Sequence, residues 1–301
     1  MIKLKPVREL IANAIKKYRK DNPVRLAGTT AYFTIFAIAP ILIIIISVFG
    51  WIIGEEEVSS KAYKEINDII GEQGTSFIRE IVKNYQGRHQ GIIGTIVGIV
   101  IFLVTSTTFF NILQSNLNYV WKIKSKPRHN LKKALKDRLL SFGIIMVLGL
   151  ILLATLLIDA SVSFLKDYVQ VVLKGYTYIF ILILNILISY SLTTLIFAII
   201  YKFLPDAKIE WKVTWIGAII TSALFILGKY LIGFALGYIK IGILYGAAGS
   251  LVVLLLWVFY SSLIFFLGAE ITRQFAEQFS QRIEPKDYAV RISIEEVHEE
   301  N

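Results

Sequence analysis

The chain has no cysteine, which excludes disulfides, thiolate metal sites and cysteine nucleophiles. Histidine is nearly as scarce: His89, His129 and His298 stand far apart, in no ligand-like spacing such as H-E-x-x-H. A P-loop, a nucleophile elbow and a dinucleotide fingerprint are all missing. Charge is thin as well, at 18% of residues, where an average soluble domain carries about a quarter. These absences weigh against a soluble enzyme. They lead us to expect no catalytic residue, no metal site and no cofactor.

What fills the space is apolar. Of 301 residues, 55% are hydrophobic and the mean hydropathy is +0.64. About 20 apolar residues at helical rise cross a hydrocarbon core of about 30 Å. Six segments meet that length, near Ala31 to Ile53, Ile92 to Leu113, Leu139 to Leu157, Tyr178 to Tyr201, Val213 to Leu236 and Ser250 to Thr272. The first is too long for the core of a signal peptide, no cleavage pattern follows Trp51, and it reads as a retained span.

The net charge of +10 would suggest nucleic acid in a soluble protein, but its distribution points elsewhere. Sorted by the loops between spans, 23 of the 32 Lys and Arg fall on one side and eight on the other, with Lys229 alone inside a span. The positive-inside rule then puts both termini in the cytoplasm, as an even number of spans also requires. The predicted fold is therefore an all-α polytopic inner-membrane protein with six transmembrane helices. Its parts are a cytoplasmic amphipathic helix (1–25), a six-span domain (26–272) and a charged tail (273–301). Within the domain lie an outer helical loop (54–90), a basic cytoplasmic loop (121–138) and a Gly-rich outer segment (237–249).

Val7, Leu10, Ile11, Ala14, Ile15 and Tyr18 recur at helical spacing with cations off the stripe. Such a helix either lies on the inner leaflet or packs on cytoplasmic loops. The outer loop's apolar residues between Val58 and Tyr85, interrupted by Gly71 and Gly74, predict two short helices. The tail after Arg282, charged and containing Pro285, reads as frayed or disordered. The basic loop Lys122 to Arg138 lacks interleaved aromatics for stacking bases. Its expected partners are anionic inner-leaflet headgroups, with no nucleic acid.

Lys229 is the most informative residue. A cation there needs a partner, a cavity or a snorkelling path to the interface. After the fifth span, Gly237, Gly242, Gly246 and Gly249 break up an apolar stretch that includes Tyr245. That stretch either folds back into the bundle or makes a tight turn that uses glycine for close packing. In the first case Lys229, Tyr245, Gly246, Gly249 and Ser250, with Ser250 capping the sixth helix, form a candidate anion site. Thr105, Thr108, Asn111, Gln114 and Asn118 make a polar stripe on the second span, and Asn185, Ser189 and Thr193 stand at spacings of four on the fourth. These polar faces either hydrogen-bond between helices or line a hydrated path. Glu270, near the inner end of the sixth span, either pairs with an inner-loop cation or is a proton-coupling carboxylate.

Several groups of residues resemble a known family. They are Leu26-Ala27 with Ala31-Tyr32 and Pro40; Leu117-Asn118 with Trp121; Phe203-Leu204-Pro205 before Trp211; and Gly228-Lys229-Tyr230 with Gly233. The most specific are Tyr245-Gly246, Gly249, Leu254-Leu255-Leu256-Trp257, Tyr260-Ser261 and Gly268-Ala269-Glu270. Together they are similar to the YihY/BrkB family of bacterial inner-membrane proteins, formerly mislabelled ribonuclease BN. The resemblance implies six helical spans and raises the expectation of transport. Sequence and resemblance together suggest a transporter or flippase-like protein for an anionic amphipathic substrate such as an envelope lipid. The alternative is a non-transporting scaffold for envelope machinery, and ribonuclease activity is the least expected.

Overall fold

Where lipid is the solvent, every backbone N–H and C=O must be satisfied within the chain, and long helices do this along a single segment. The computed structural model describes residues 4–87, 92–126, 139–140, 142–155, 158, 177–238, 245, 248–279 and 283–293. The helices are α1 (Leu4–Lys20), α2 (Pro23–Ile53), α3 (Glu55–Gly87), α4 (Ile92–Val120), α5 (Phe142–Thr155), α6 (Thr177–Phe203), α7 (Trp211–Tyr238) and α8 (Gly249–Phe279). Four stretches among the described residues are long and apolar enough to cross a membrane: α2, Ile186–Phe203 of α6, Trp211–Ile232 of α7, and α8. The fold is that of an all-α membrane protein. α4 and the shorter apolar α5 stand where the second and third spans are predicted.

Local chemistry sets the helix boundaries. α2 begins at Pro23, whose fixed φ and missing N–H suit a first turn, after Asn22 in the left-handed region at φ 52°. It continues through Pro40 and stops at Gly54, φ 106°, a conformation that side chains other than glycine rarely adopt. α3 starts on Glu55, Glu56 and Glu57, three carboxylates at the positive end of the helix dipole. It breaks at Gly71 (φ 76°, ψ 174°), so this segment is two helices as predicted, while Gly74 lies within the second.

Packing depends on close approach, because lipid supplies little hydrophobic drive between helices. α7 and α8 run antiparallel, with Gly217 against Thr272, Gly268 against Thr221, and Gly228 against Tyr260. The two threonines satisfy their hydroxyls within their own helices, Thr221 Oγ1 donating to the Gly217 carbonyl and Thr272 Oγ1 to that of Gly268, each at 2.7 Å. A Cβ at Gly217 or Gly268 would stand 1.9 Å from the facing hydroxyl oxygen. Outside this pair, α3 lays Ala62, Ile70, Ile78 and Val82 against Ala39 and Leu42 of α2 and Leu254 and Trp257 of α8.

α1 packs on the protein. Leu10 and Ala14 are buried with Ile271 of α8, Tyr18 donates to the Leu263 carbonyl at 2.7 Å, and Lys17 pairs with Glu277 at 3.2 Å. Burial raises the pKa of the Tyr18 phenol, which keeps it a donor. Ile11 and Ile15 of the same predicted stripe stay exposed, so the apolar face is divided between α8 and the surroundings.

The tail is a correction to the sequence reading. Residues 283–293 are ordered: β3 (Glu284–Pro285) pairs antiparallel with β2 (Ala207–Lys208), and β4 (Ala289–Arg291) with β1 (Ile123–Ser125). Ile283 and Ala289 are buried. Lys286 donates its backbone N–H to the Asp206 carbonyl and its ammonium to that of Pro205 at 2.8 Å. Lys208 meets Asp287 at 2.8 Å. Composition suggests a solvated tail here, but backbone pairing to two distant loops gives it partners that no local pattern displays.

Candidate functional site

Four helices enclose a cavity of about 460 Å³ that Lys229 lines. Each contributes residues at helical spacing. α7 presents Phe225, Ile226, Lys229 and Tyr230; α6 presents Ser189, Leu192, Thr193 and Ile196; α5 presents Leu148, Ile151, Leu152 and Thr155. α3 closes the rim with Lys64, Glu65, Asp68 and Ile69. The walls are aliphatic, and the charges come from α3 and from Lys229.

Fixed contacts hold the walls in place. Tyr190 donates to the Ile219 carbonyl at 2.9 Å, tying α6 to α7. Phe225 meets Phe197 of α6 and Trp257 of α8 edge-on, with centroids at 5.5 and 5.2 Å. Thr193 and Thr155 donate to carbonyls in their own helices, at 2.8 and 2.7 Å, so toward the cavity their oxygens are left as acceptors. Glu65 is bound by Lys61 at 2.7 Å, an ion pair in which the lysine is 8% exposed. Lys229 makes no hydrogen bond or ion pair with a described residue. The chemistry available is the Lys229 ammonium in an aliphatic cleft, with hydroxyl acceptors and a mixed rim of Lys64, Glu65 and Asp68.

Of the residues singled out from sequence, Lys229, Ser189 and Thr193 share this cavity. Tyr245 is 56% exposed and does not line it. Gly246 lies outside the described residues, as do all three histidines and the basic loop from 127 to 138, and nothing is described of the Asn185 side chain. α7 continues through Gly237 to Tyr238, and α8 starts at Gly249, so Ser250 sits within its first turn instead of capping it.

The polar stripe of α4 goes elsewhere, because none of its residues lines the cavity. Asn111 is exposed, Thr108 donates to the Val104 carbonyl at 2.7 Å, and Thr105 has a partner of its own. Gln114 and Asn118 converge on Asp206, which is 2% exposed, at 3.1 and 2.9 Å. Ser125 also donates to that carboxylate, and the Asp206 N–H returns a bond to the Asn118 side chain at 2.9 Å. A buried carboxylate is thus held by amides and a hydroxyl, with no cation on it among the described residues.

Glu270 is 0% exposed and accepts from Arg273 and Gln274, each at 2.8 Å. Its ion-pair partner is therefore one turn along its own helix, where the sequence suggested an inner-loop cation. Arg273 also donates to the Val120 carbonyl at 2.9 Å, and Trp121 to that of Ala269 at the same distance, fastening α4 to α8. Beside them Lys122 binds Asp21 and lies 4.7 Å from the centroid of the Tyr119 ring.

Sequence reasoning missed Asp206, Asp21 and the α3 rim. The spacing of Lys64 and Asp68, four apart on one helix face, was the available sign for the rim, but an exposed charged face is the ordinary state of a loop helix.

Comparison with known proteins places this architecture. The sequence profile of the family described as virulence factor BrkB matches residues 14–292. The chain belongs to that family. Related chains include a UPF0761 membrane protein of Halorhodospira halophila, 27% identical over 262 residues that cover 86% of this chain and 55% of the relative. Another, from Acinetobacter baylyi, is 24% identical and covers 92% and 64%, and one from Haemophilus influenzae is 24% identical over 88% and 96%. This chain therefore spans 55% and 64% of the length of the first two. No solved structure matches it. Membrane-protein relatives and several helices able to span make this BrkB-family chain a multi-pass protein of the inner membrane.

Proposed function

We propose that the protein is a six-span inner-membrane transporter or flippase-like protein, with both termini cytoplasmic, for an anionic amphipathic substrate such as a phosphorylated envelope lipid. The observation that carries this reading is the placement of Lys229 in an aliphatic cavity instead of an ion pair. A cation at membrane depth costs at least a few kcal/mol, and a structural role would give it a carboxylate. An anionic headgroup supplies that missing charge when it binds. The Leu and Ile walls of α5 and α6 suit acyl chains, and the Ser189 hydroxyl adds a polar contact beside the ammonium. With no nucleotide-binding motif in the sequence, movement draws on the substrate's own gradient, an ion gradient or a partner.

The test is reconstitution in vesicles containing acyl-labelled phosphatidylglycerol, with transbilayer movement read by chemical quenching from outside. Wild-type protein is expected to move the lipid faster than empty vesicles do, and Lys229→Met to return the rate to the empty-vesicle level. Wild-type rates equal to empty vesicles for every labelled lipid would reject the reading.

A further inference from the structure

We infer that the headgroup this cavity takes is dipolar, a phosphate carrying an ammonium as in an ethanolamine phospholipid, with the phosphate on Lys229 and the ammonium on Asp68. This rests on the lipid-binding reading of the same cavity and narrows its ligand from any headgroup with a phosphate anion to one whose phosphate is balanced by an ammonium. The cavity carries both signs of charge. On the α3 rim, Glu65 is already neutralised by Lys61 at 2.7 Å, and Lys64 has an interaction of its own. Asp68 has neither a hydrogen bond nor an ion pair with any described residue, and Lys229 has none either, although both line the one cavity. They do not pair with each other.

Two opposite charges that share a cleft yet stay apart leave room for a ligand with the reverse polarity. A headgroup carrying only a phosphodiester anion would neutralise Lys229 and leave the Asp68 carboxylate without a counter-charge. A phosphate-ammonium headgroup satisfies both and brings no net charge into an aliphatic cleft, where uncompensated charge is costly. The depths agree: Lys229 is half-buried among Phe225, Ile226 and the α6 wall, whereas Asp68 is exposed at the rim. The phosphate, next to the acyl chains, therefore lies inside, and the ammonium, at the end of the headgroup, lies toward water. A primary ammonium donates hydrogen bonds to the Asp68 carboxylate, which a trimethylated one does not.

The test measures binding apart from movement. Full-length protein in detergent is titrated with dihexanoyl phosphatidylethanolamine, dihexanoyl phosphatidylglycerol and dihexanoyl phosphatidylcholine. The ethanolamine lipid is expected to bind about threefold to fivefold tighter than the glycerol lipid, the range an exposed ion pair allows. Asp68→Asn is expected to abolish that preference while leaving the glycerol lipid's affinity unchanged or tighter, and Lys229→Met to weaken both. Equal affinities in the wild type, or a preference that survives Asp68→Asn, would overturn the inference. Retained folding of the variants is checked by their thermal midpoints, and Asp68→Ser provides a second removal of the carboxylate. The same variants in vesicles read movement separately: ethanolamine-selective binding without movement would reject transport and leave the ligand assignment standing, whereas movement without selectivity would do the reverse.

Discussion

The Asp206/Glu270 end of the bundle and its α3-rimmed cavity use charge in opposite ways. At the first, charged groups are buried and tied: Asp206 takes bonds from three side chains, Glu270 from two, and Arg273 joins Glu270 to the Val120 carbonyl. In the cavity Lys229 and Asp68 line an aliphatic space without partners among the described residues. A membrane protein can fasten its helices with such polar contacts, although one oxygen each of Asp21 and Glu270 and the Arg273 Nε find no hydrogen-bond partner among the described residues. Where charged groups face a cavity without a protein partner, water or a ligand supplies their contacts. On the proposed function the Asp206/Glu270 end is architecture and the cavity the working site, and substitutions should separate the two.

The largest loss of stability is expected from Arg273→Met, which leaves the Glu270 carboxylate buried without its cation. Such breaks cost about 3–5 kcal/mol, visible as a lower unfolding midpoint in detergent, and the double change Arg273→Met with Glu270→Leu should recover much of the loss. Asp206→Ala comes next. It strands the Gln114 and Asn118 amides and the Ser125 hydroxyl, at about 3 kcal/mol for a hydrogen-bonded buried charge, and should also increase proteolysis of the tail held across Asp206. Gly217→Ala should cost about 1–3 kcal/mol by overpacking against Thr272, read from the same unfolding curve. Lys229→Met breaks no described contact, so its midpoint should stay within about 0.5 kcal/mol of wild type while lipid movement disappears.

The smallest effect belongs to the exposed Lys208 and Asp287 pair. Each holds the other in its charged form, lowering the pKa of the aspartate and raising that of the lysine. The aspartate's contribution is complete above its unfolded pKa and is lost as pH falls through its depressed folded value. The lysine's is complete below its unfolded pKa and is lost as pH rises through its raised one. Asp287→Asn should therefore shift the unfolding midpoint slightly at neutral pH and not at all in strong acid.

Sequence displayed the features set by local periodicity and solvent. The apolar runs predicted long helices, four of which are able to span among the described residues, and the glycine at position 71 broke α3, because each depends on residues a few positions apart; Lys229 lines a cavity, but not one shared with Tyr245. Contacts made across the chain stayed hidden. β3 and β4 are two and three residues long and pair with loops more than 70 positions away, and nothing in a charged, Pro-containing tail announces that. The α4 stripe was visible as polar, but that its Gln114 and Asn118 converge on Asp206, while Asn116 beside the stripe binds Leu26, Thr29 and Thr30 of α2, depends on tertiary placement. Arg273 shows the same limit. Counted as a topology cation, it proves to be the partner of Glu270.

The central claim is that Lys229 serves a ligand and not the fold. The direct measurement is the rate of transbilayer movement of acyl-labelled phospholipid in vesicles carrying wild-type or Lys229→Met protein at matched unfolding midpoints. The rate should rise above empty vesicles for the wild type and fall to their level for the variant. Equal movement by both proteins would contradict the account.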